Sequence, residues 1–242
     1  MNSTTPALRF EELTKRYDKT EAVSSLSMTI ASGTTFGLVG ANGAGKTTLI
    51  KCLLDFCSVD SGQVTIFGVP ATNTGARARL AFLPERFVPP YYLTGRDFLR
   101  FMARMYGCAF DFEACAATLA DLDLESDVLS RPVRALSKGM TQKLGLAGCL
   151  LSKRDLLVLD EPGSGLDPKA RALFKTALKR AQSTGRTIFL TSHTLADVDE
   201  LCDRIAVLHR GGLRFVGSPA GLKHQHSTGT LEQAFLKCIG EI

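Results

Sequence analysis

The 242-residue chain has no tryptophan, only four tyrosines and only nine prolines. It also lacks any apolar run near the roughly 18 residues that a membrane-spanning helix needs. No C-x-x-C pair occurs among its seven cysteines at 52, 57, 108, 115, 149, 202 and 238. An odd count in mostly apolar surroundings reads as reduced thiols of a cytosolic protein, not as a disulfide or zinc framework. The opening Met1–Pro6 has no basic stretch followed by an apolar one, which excludes a signal peptide there. Excess charge is small too: 29 Lys and Arg against 24 Asp and Glu leave a net charge of +5, too little to indicate nucleic acid. No repeat and no low-complexity segment interrupts the chain. With 45% apolar and 22% charged residues the composition excludes disordered, collagenous and coiled-coil proteins. A chain of this size can build its own core without disulfides or metal.

What is present is an alternation of short β-rich runs with helical ones, the pattern of a mostly parallel sheet with helices on its faces. Strands are expected at 7–13, 26–30, 36–39, 62–68 and 80–83, with a helix from Lys46 to about Phe56. Between 87 and 152 no strand pattern occurs. Phe98, Phe101, Met102 and Met105 recur at helical spacing, as do Met140, Leu144, Ala147 and Leu151. Leu156–Leu159 is wholly apolar, as a buried parallel strand should be. Pro168 opens a helix to about Gln182, and a strand follows at 187–190. The runs 205–208 and 213–216 flank Gly211-Gly212 as a hairpin. The polar stretch 224–229, with His224-Gln225-His226, reads as a linker and not as a metal site, and a last helix spans Leu231–Ile239.

Gly40-Ala41-Asn42-Gly43-Ala44-Gly45-Lys46-Thr47 follows an apolar strand and precedes a helix, which is the context of a phosphate-binding loop. Its glycines let backbone N–H groups close on phosphate oxygens, and the helix N-terminus adds a favourable dipole. Lys46 would reach the β- and γ-phosphates, and the Thr47 hydroxyl would ligate Mg²⁺. A dinucleotide fingerprint is excluded because Asn42 stands where a glycine is needed. Asp160 and Glu161 close the apolar strand at 156–159, so one carboxylate can hold the Mg²⁺ shell and the next can polarise water. A guanine reader is absent: Ser152-Lys153-Arg154-Asp155 begins with serine and precedes the acidic strand.

Leu136-Ser137-Lys138-Gly139-Met140 lies between these two motifs, and here the chain resembles the ATP-binding subunit of ATP-binding-cassette (ABC) transporters, in the L-S-K-G-M form of ABC-2-type exporters. Leu156–Pro162 looks like that family's second nucleotide motif, Ser164-Gly165-Leu166-Asp167 like its D-loop, and Thr191-Ser192-His193 like its switch histidine. Tyr17 matches the aromatic that stacks on adenine, and Leu231–Leu236 the usual close of ABC-2 ATPases. The resemblance covers essentially the whole chain. It implies an α/β fold: a RecA-like P-loop NTPase core over 1–86 and 153–242, an antiparallel β portion and an inserted helical subdomain at 87–152.

The same resemblance implies a cytoplasmic ATPase on the inner membrane face, working with a separate membrane permease as a head-to-tail dimer and not on nucleic acid. The nucleotide set it implies is Tyr17, Gly40, Asn42, Gly43, Ala44, Gly45, Lys46, Thr47, Thr48 and Asp167, completed from a second copy by Ser137 and Gly139. Thr47, Asp160 and Glu85 would hold Mg²⁺, while Glu161, His193 and Glu85 would serve hydrolysis of ATP. Two residues depart from the family pattern. Glu85 stands where it usually has glutamine, and Lys138 replaces the first signature glycine, so that position must not require positive φ. Ser137 also suits the N-cap of the helix after it. The aromatic residues Phe87, Tyr91 and Tyr92 offer anchors for the permease. Lys169, Arg171, Lys175, Lys179 and Arg180 read as a solvated helix face. The competing function class is a soluble ABC ATPase acting on ribosomes or DNA, which usually carries two cassettes or a long coiled coil.

Overall fold

The computed structural model describes residues 5–241; Met1–Thr4 of the opening segment, and Ile242, lie outside them. In chain order come β1 (Leu8–Tyr17), β2 (Thr20–Ile30), β3 (Thr35–Val39), α1 (Lys46–Leu53), β4 (Ser61–Ile66), β5 (Val69–Pro70) and β6 (Leu80–Leu83). Three helices follow without a strand: α2 (Gly95–Met105), α3 (Phe112–Asp121) and α4 (Lys138–Leu151). The chain then alternates through β7 (Leu156–Leu159), α5 (Pro168–Ser183), β8 (Thr187–Thr191), α6 (Leu195–Leu201), β9 (Arg204–His209) and β10 (Gly212–Gly217). It closes with α7 (Pro219–Gln225) and α8 (Leu231–Ile239).

Two sheets result. One is antiparallel, in the order β2-β1-β4-β5; the other runs β10-β9-β3-β8-β7-β6, parallel throughout except for β10 on its edge. Residues of β3, β7 and β8 are buried without exception, as a parallel strand covered on both faces must be. Their period-two alternation sorts the core into two halves. Leu157, Leu159, Ile188, Leu190, Ile205 and Val207 face α4, α5 and α6. Leu156, Val158, Phe189, Ala206 and Leu208 face α1 and the antiparallel sheet. Phe189 meets Phe36 and Phe10 at ring-centroid distances of 6.2 and 6.5 Å, so one aromatic stack ties both sheets together. Each such buried ring contributes about 1.5–3 kcal/mol of transfer free energy.

The α/β class, the parallel strands and the helical block agree with the sequence, but several boundaries move. β1 runs on to Tyr17 and β2 starts at Thr20, well beyond the apolar runs. Register shifts between Phe10 and Arg16 break the alternation that would have marked the extra length. The phosphate-loop helix ends at Leu53, where Asp55 turns the chain at φ 60°. The stretch at 224–229 is not all linker, because Ser218 caps a helix that includes His224 and Gln225. The Phe98–Met105 stripe splits: Phe98 is buried, whereas Phe101 and Met105 are 46% and 68% exposed. Phe87 is not a free anchor either. Its ring lies over α4, where a Cβ on Gly145 would sit 2.7 Å from it, and meets Phe98 edge-on. The five basic residues of α5 are all paired with acids, Lys169 with Asp123, Arg171 with Asp197, Lys175 and Lys179 with Glu200, and Arg180 with Asp121. Among the described residues no helix is long and apolar enough to cross a membrane.

Candidate functional site

The carboxyl ends of β3, β6, β7 and β8 converge, and the residues just beyond them line a cleft of about 520 Å³. After β3 the chain turns through Gly40–Gly45 into α1. Space and backbone shape both demand glycine there. A Cβ on Gly40 would lie 2.4 Å from the Leu208 carbonyl, and Gly45, at φ 110°, would bring one 2.3 Å from the Ala22 carbonyl. Gly211 in the β9–β10 turn donates its N–H to the Ala44 carbonyl at 3.0 Å and holds the loop from outside. Gly45 supplies no side-chain cap, so the first N–H groups of α1 are left for an anion. Lys46 is buried and crosses the loop, its Nζ donating to the carbonyls of Gly40 at 2.6 Å and Ala41 at 3.3 Å.

Opposite the loop stand the two acids that end β7. Asp160 is buried, and its Oδ1 accepts the Thr191 hydroxyl at 2.6 Å. The same hydroxyl oxygen accepts the Glu161 N–H at 2.9 Å, so one threonine at the end of β8 fixes both acidic residues. Burial pushes the Asp160 carboxyl above its ordinary range; the Thr191 bond opposes this, Glu85 and Glu161 reinforce it, and Lys46 opposes it. Glu161 sits at φ 49°, a conformation costly for a non-glycine residue. This turn directs its carboxylate to His193, whose backbone N–H and ring Nδ1 both approach Oε2, at 3.2 and 2.7 Å. Glu85, exposed just past β6, completes the lining with Gly40–Thr48 and Ala22.

The donor set suits a hard divalent cation. The Thr47 hydroxyl and the carboxylates of Asp160 and Glu85 all line this one cleft. Among the described residues no group of three or more His, Cys, Asp and Glu forms a protein cage for metal. Mg²⁺ needs none, since it binds through one or two protein oxygens together with phosphate oxygens and water.

The remaining expected residues lie elsewhere. Tyr17, at the end of β1, is 44% exposed and neighbours Thr48, with Lys15 Nζ 5.3 Å from its ring centroid. Ser137 accepts the Met140 N–H at 3.2 Å as the N-cap of α4, and Asp167 caps α5 through Ala170 at 2.9 Å. Gly139 abuts the loop between β7 and α5, where a Cβ on it would lie 3.5 Å from the Gly165 carbonyl. None of Ser137, Gly139 and Asp167 lines the cleft of its own chain. Three contributors were not among the expected site residues: Ala22, Gly211, which the sequence marked only as a hairpin turn, and Thr191, which it marked only as the neighbour of His193. The threonine's place at the end of an apolar strand was the signal for its own role.

The sequence model of the family described as ABC transporter matches residues 23–164, more than half of the chain. The chain belongs to the ABC transporter family. An ABC transporter ATP-binding protein of Synechocystis sp. is 38% identical over 206 residues, 84% of this chain and 58% of that protein. Nod factor export ATP-binding protein I of Sinorhizobium fredii is 37% identical over 222 residues, 89% of this chain and 64% of that protein. The chain thus spans about three fifths of the length of these curated relatives. A solved ATP-binding subunit of an ABC transporter superposes with a TM-score of 0.86 at 26% identity, covering 96% of this chain and 99% of that one. A bacterial Atm1-family ABC exporter with ATP bound shares the fold, with a TM-score of 0.82 at 24% identity over 98% of this chain and 43% of that one. The ABC core here is the RecA-like P-loop NTPase fold. Within it Lys138, where the family pattern has glycine, lies in the first turn of α4 and does not have positive φ. Its aliphatic stem passes Gly165, whose added Cβ would lie 3.9 Å from Lys138 Cε.

Because Lys46 carries the one ammonium lining the cleft among the described residues, Lys46→Ala is expected to weaken ATP binding by at least about tenfold. Calorimetric titration checks this, and an unchanged affinity would refute the phosphate assignment.

Proposed function

We propose that the chain binds MgATP in this cleft and hydrolyses it to ADP and phosphate, powering export through a separate membrane permease by closure of a head-to-tail dimer. The observation that carries the reading is the buried Asp160–Glu161 pair, held by Thr191 across from the glycine cradle. The loop amides and Lys46 hold the phosphates. Thr47 and Asp160 hold Mg²⁺, with Glu85 as an oxygen ligand on the same side. A cation held there would supply positive charge against the charge developing on the transferred phosphoryl group. Burial, reinforced by Glu85 and Glu161, disfavours ionised Asp160, and a cation held there would favour its charged form. Glu161 orients and polarises the attacking water, and His193 fixes the carboxylate through Nδ1 while its half-exposed ring faces the γ-phosphate. Tyr17 stacks on the base. Hydrolysis here is mainly positioning and electrostatics.

That Ser137, Gly139 and Asp167 lie outside their own chain's cleft supports a site completed in trans: α4 of a second copy presents its capped N-terminus to the γ-phosphate. Export as the direction draws on the Nod factor export relatives. Val88, Tyr91, Tyr92, Phe101 and Met105 form exposed apolar surface on the helical block. This surface follows Glu85 directly in the chain, and Phe87 anchors the intervening segment on α4. It suits a permease on the cytoplasmic face of the membrane.

Glu161→Gln tests the chemistry. An amide cannot take up a proton, so turnover should fall about 10²–10⁴-fold while ATP binding persists. Wild-type phosphate release by this variant would contradict the role. The paired substitution Tyr91→Ala and Tyr92→Ala addresses coupling: permease binding and transport should be lost while basal ATPase activity survives. Loss of folding instead would mean that these exposed rings belong to the core.

A further inference from the structure

A thiol pair lies beside the nucleotide end of the molecule. Cys52 occupies the last turn of α1, and its Sγ is 3.6 Å from that of Cys57. The helix ending brings them together. The Phe56 N–H bonds to the Lys51 carbonyl and the Asp55 N–H to that of Cys52, while Asp55 turns left-handed at φ 60°, the geometry of a Schellman cap. The chain therefore folds back over its own helix, and Cys57 lands beside Cys52 at a separation of five residues. Among the described residues no other pair of thiols is in contact.

Two further observations point outward and inward from this pair. Outward, both thiols line a cavity of about 290 Å³, bounded also by Val59, Gln63, Val64 and Pro70 and large enough for a peroxide. Inward, Cys57 neighbours the Tyr17 phenol, which also neighbours Thr48 of the cleft lining. We propose that Cys52 and Cys57 are a modification site, closed reversibly to a disulfide by peroxide, and that closure weakens nucleotide binding by drawing Cys57 away from Tyr17. The consequence for the nucleotide rests on the functional reading above; the bond itself does not.

The chemistry balances. The half-buried Cys57 thiolate attacks one oxygen of hydrogen peroxide, expels hydroxide and becomes a sulfenic acid. The Cys52 sulfur then displaces the hydroxyl group from Cys57, which leaves as water with the Cys52 proton. Two thiols and one peroxide give one disulfide and two waters. Burial pushes the Cys52 thiol up to about 12, so it stays protonated and unreactive until its partner is oxidised. Closing 3.6 Å to a bond of about 2 Å requires side-chain rotation, and a thiol reductant reopens the bond by thiol–disulfide exchange.

The full chain is treated with hydrogen peroxide, digested with trypsin and weighed, and ATP affinity is titrated in parallel. Both cysteines fall in one tryptic peptide, 52–77. The expected result is that this peptide loses two hydrogens, that affinity falls by about fivefold or more, and that a thiol reductant restores both. Cys52→Ala, and independently Cys57→Ser, should block both changes. A peptide that stays fully reduced, or only gains oxygen, would overturn the proposal. So would a closed peptide with unchanged affinity. Failure of the reduced protein to bind ATP would defeat the functional reading and the nucleotide consequence, while the peptide mass would still decide whether the bond forms.

Discussion

Strands β3, β7 and β8 are covered on both faces, and that burial dictates where chemistry can occur. An unpaired charge inside such a sheet costs several kcal/mol, so polar side chains are confined to the strand ends. Thr35, Thr187 and Thr191 are the polar residues of these strands, all at their termini. Asp160 stands one position past β7 and is already buried enough for its carboxyl to be pushed upward. The Thr191 hydroxyl makes this tolerable by donating to Asp160 while accepting the Glu161 amide. The parallel pairing of β7 with β8 sets that contact, since it matches Leu159 with Leu190 and leaves Asp160 and Thr191 side by side.

The phosphate loop answers to the same register. β3 lies between β8 and β9, which places Gly40 against the Leu208 carbonyl and the β9–β10 turn against Ala44. Glycine is required at 40 and 45 because neighbouring backbone occupies the space of a side chain, whereas Gly43 has nothing within 4 Å of its missing Cβ. The loop is closely packed on its protein side and open on its ligand side. Such a cradle is organised before a phosphate arrives, and this limits the ordering cost of binding.

Much of this could be read from the residues. Uniformly apolar runs marked β3, β7 and β8, because burial on both faces leaves only one kind of side chain. The glycine loop and the paired acids were legible because their backbone and charge requirements admit few substitutes. Less legible were elements whose pattern is diluted. α6 carries three acids in seven residues, and α7 opens with proline and glycine, so neither shows an apolar period. β1 and β2 lengthen through a hairpin whose register slips, which erases alternation. Phe101 and Met105 keep helical spacing yet remain exposed, since spacing gives a shared face and not what covers it. Thr191 was hidden for another reason: its role depends on a neighbour 31 residues away in the chain.

In the proposed mode of action each chain holds half of a site, with Ser137 and Gly139 serving a cleft on another copy. Sedimentation velocity of the Glu161→Gln protein, with and without MgATP, tests it most directly when repeated with Ser137→Asp added. Aspartate keeps the helix cap but sets a negative charge against the triphosphate. Expected are a single chain without nucleotide, a doubled mass with MgATP, and no doubling once Ser137→Asp is present although ATP still binds. A single chain at saturating MgATP, or a doubled mass indifferent to Ser137→Asp, would contradict it.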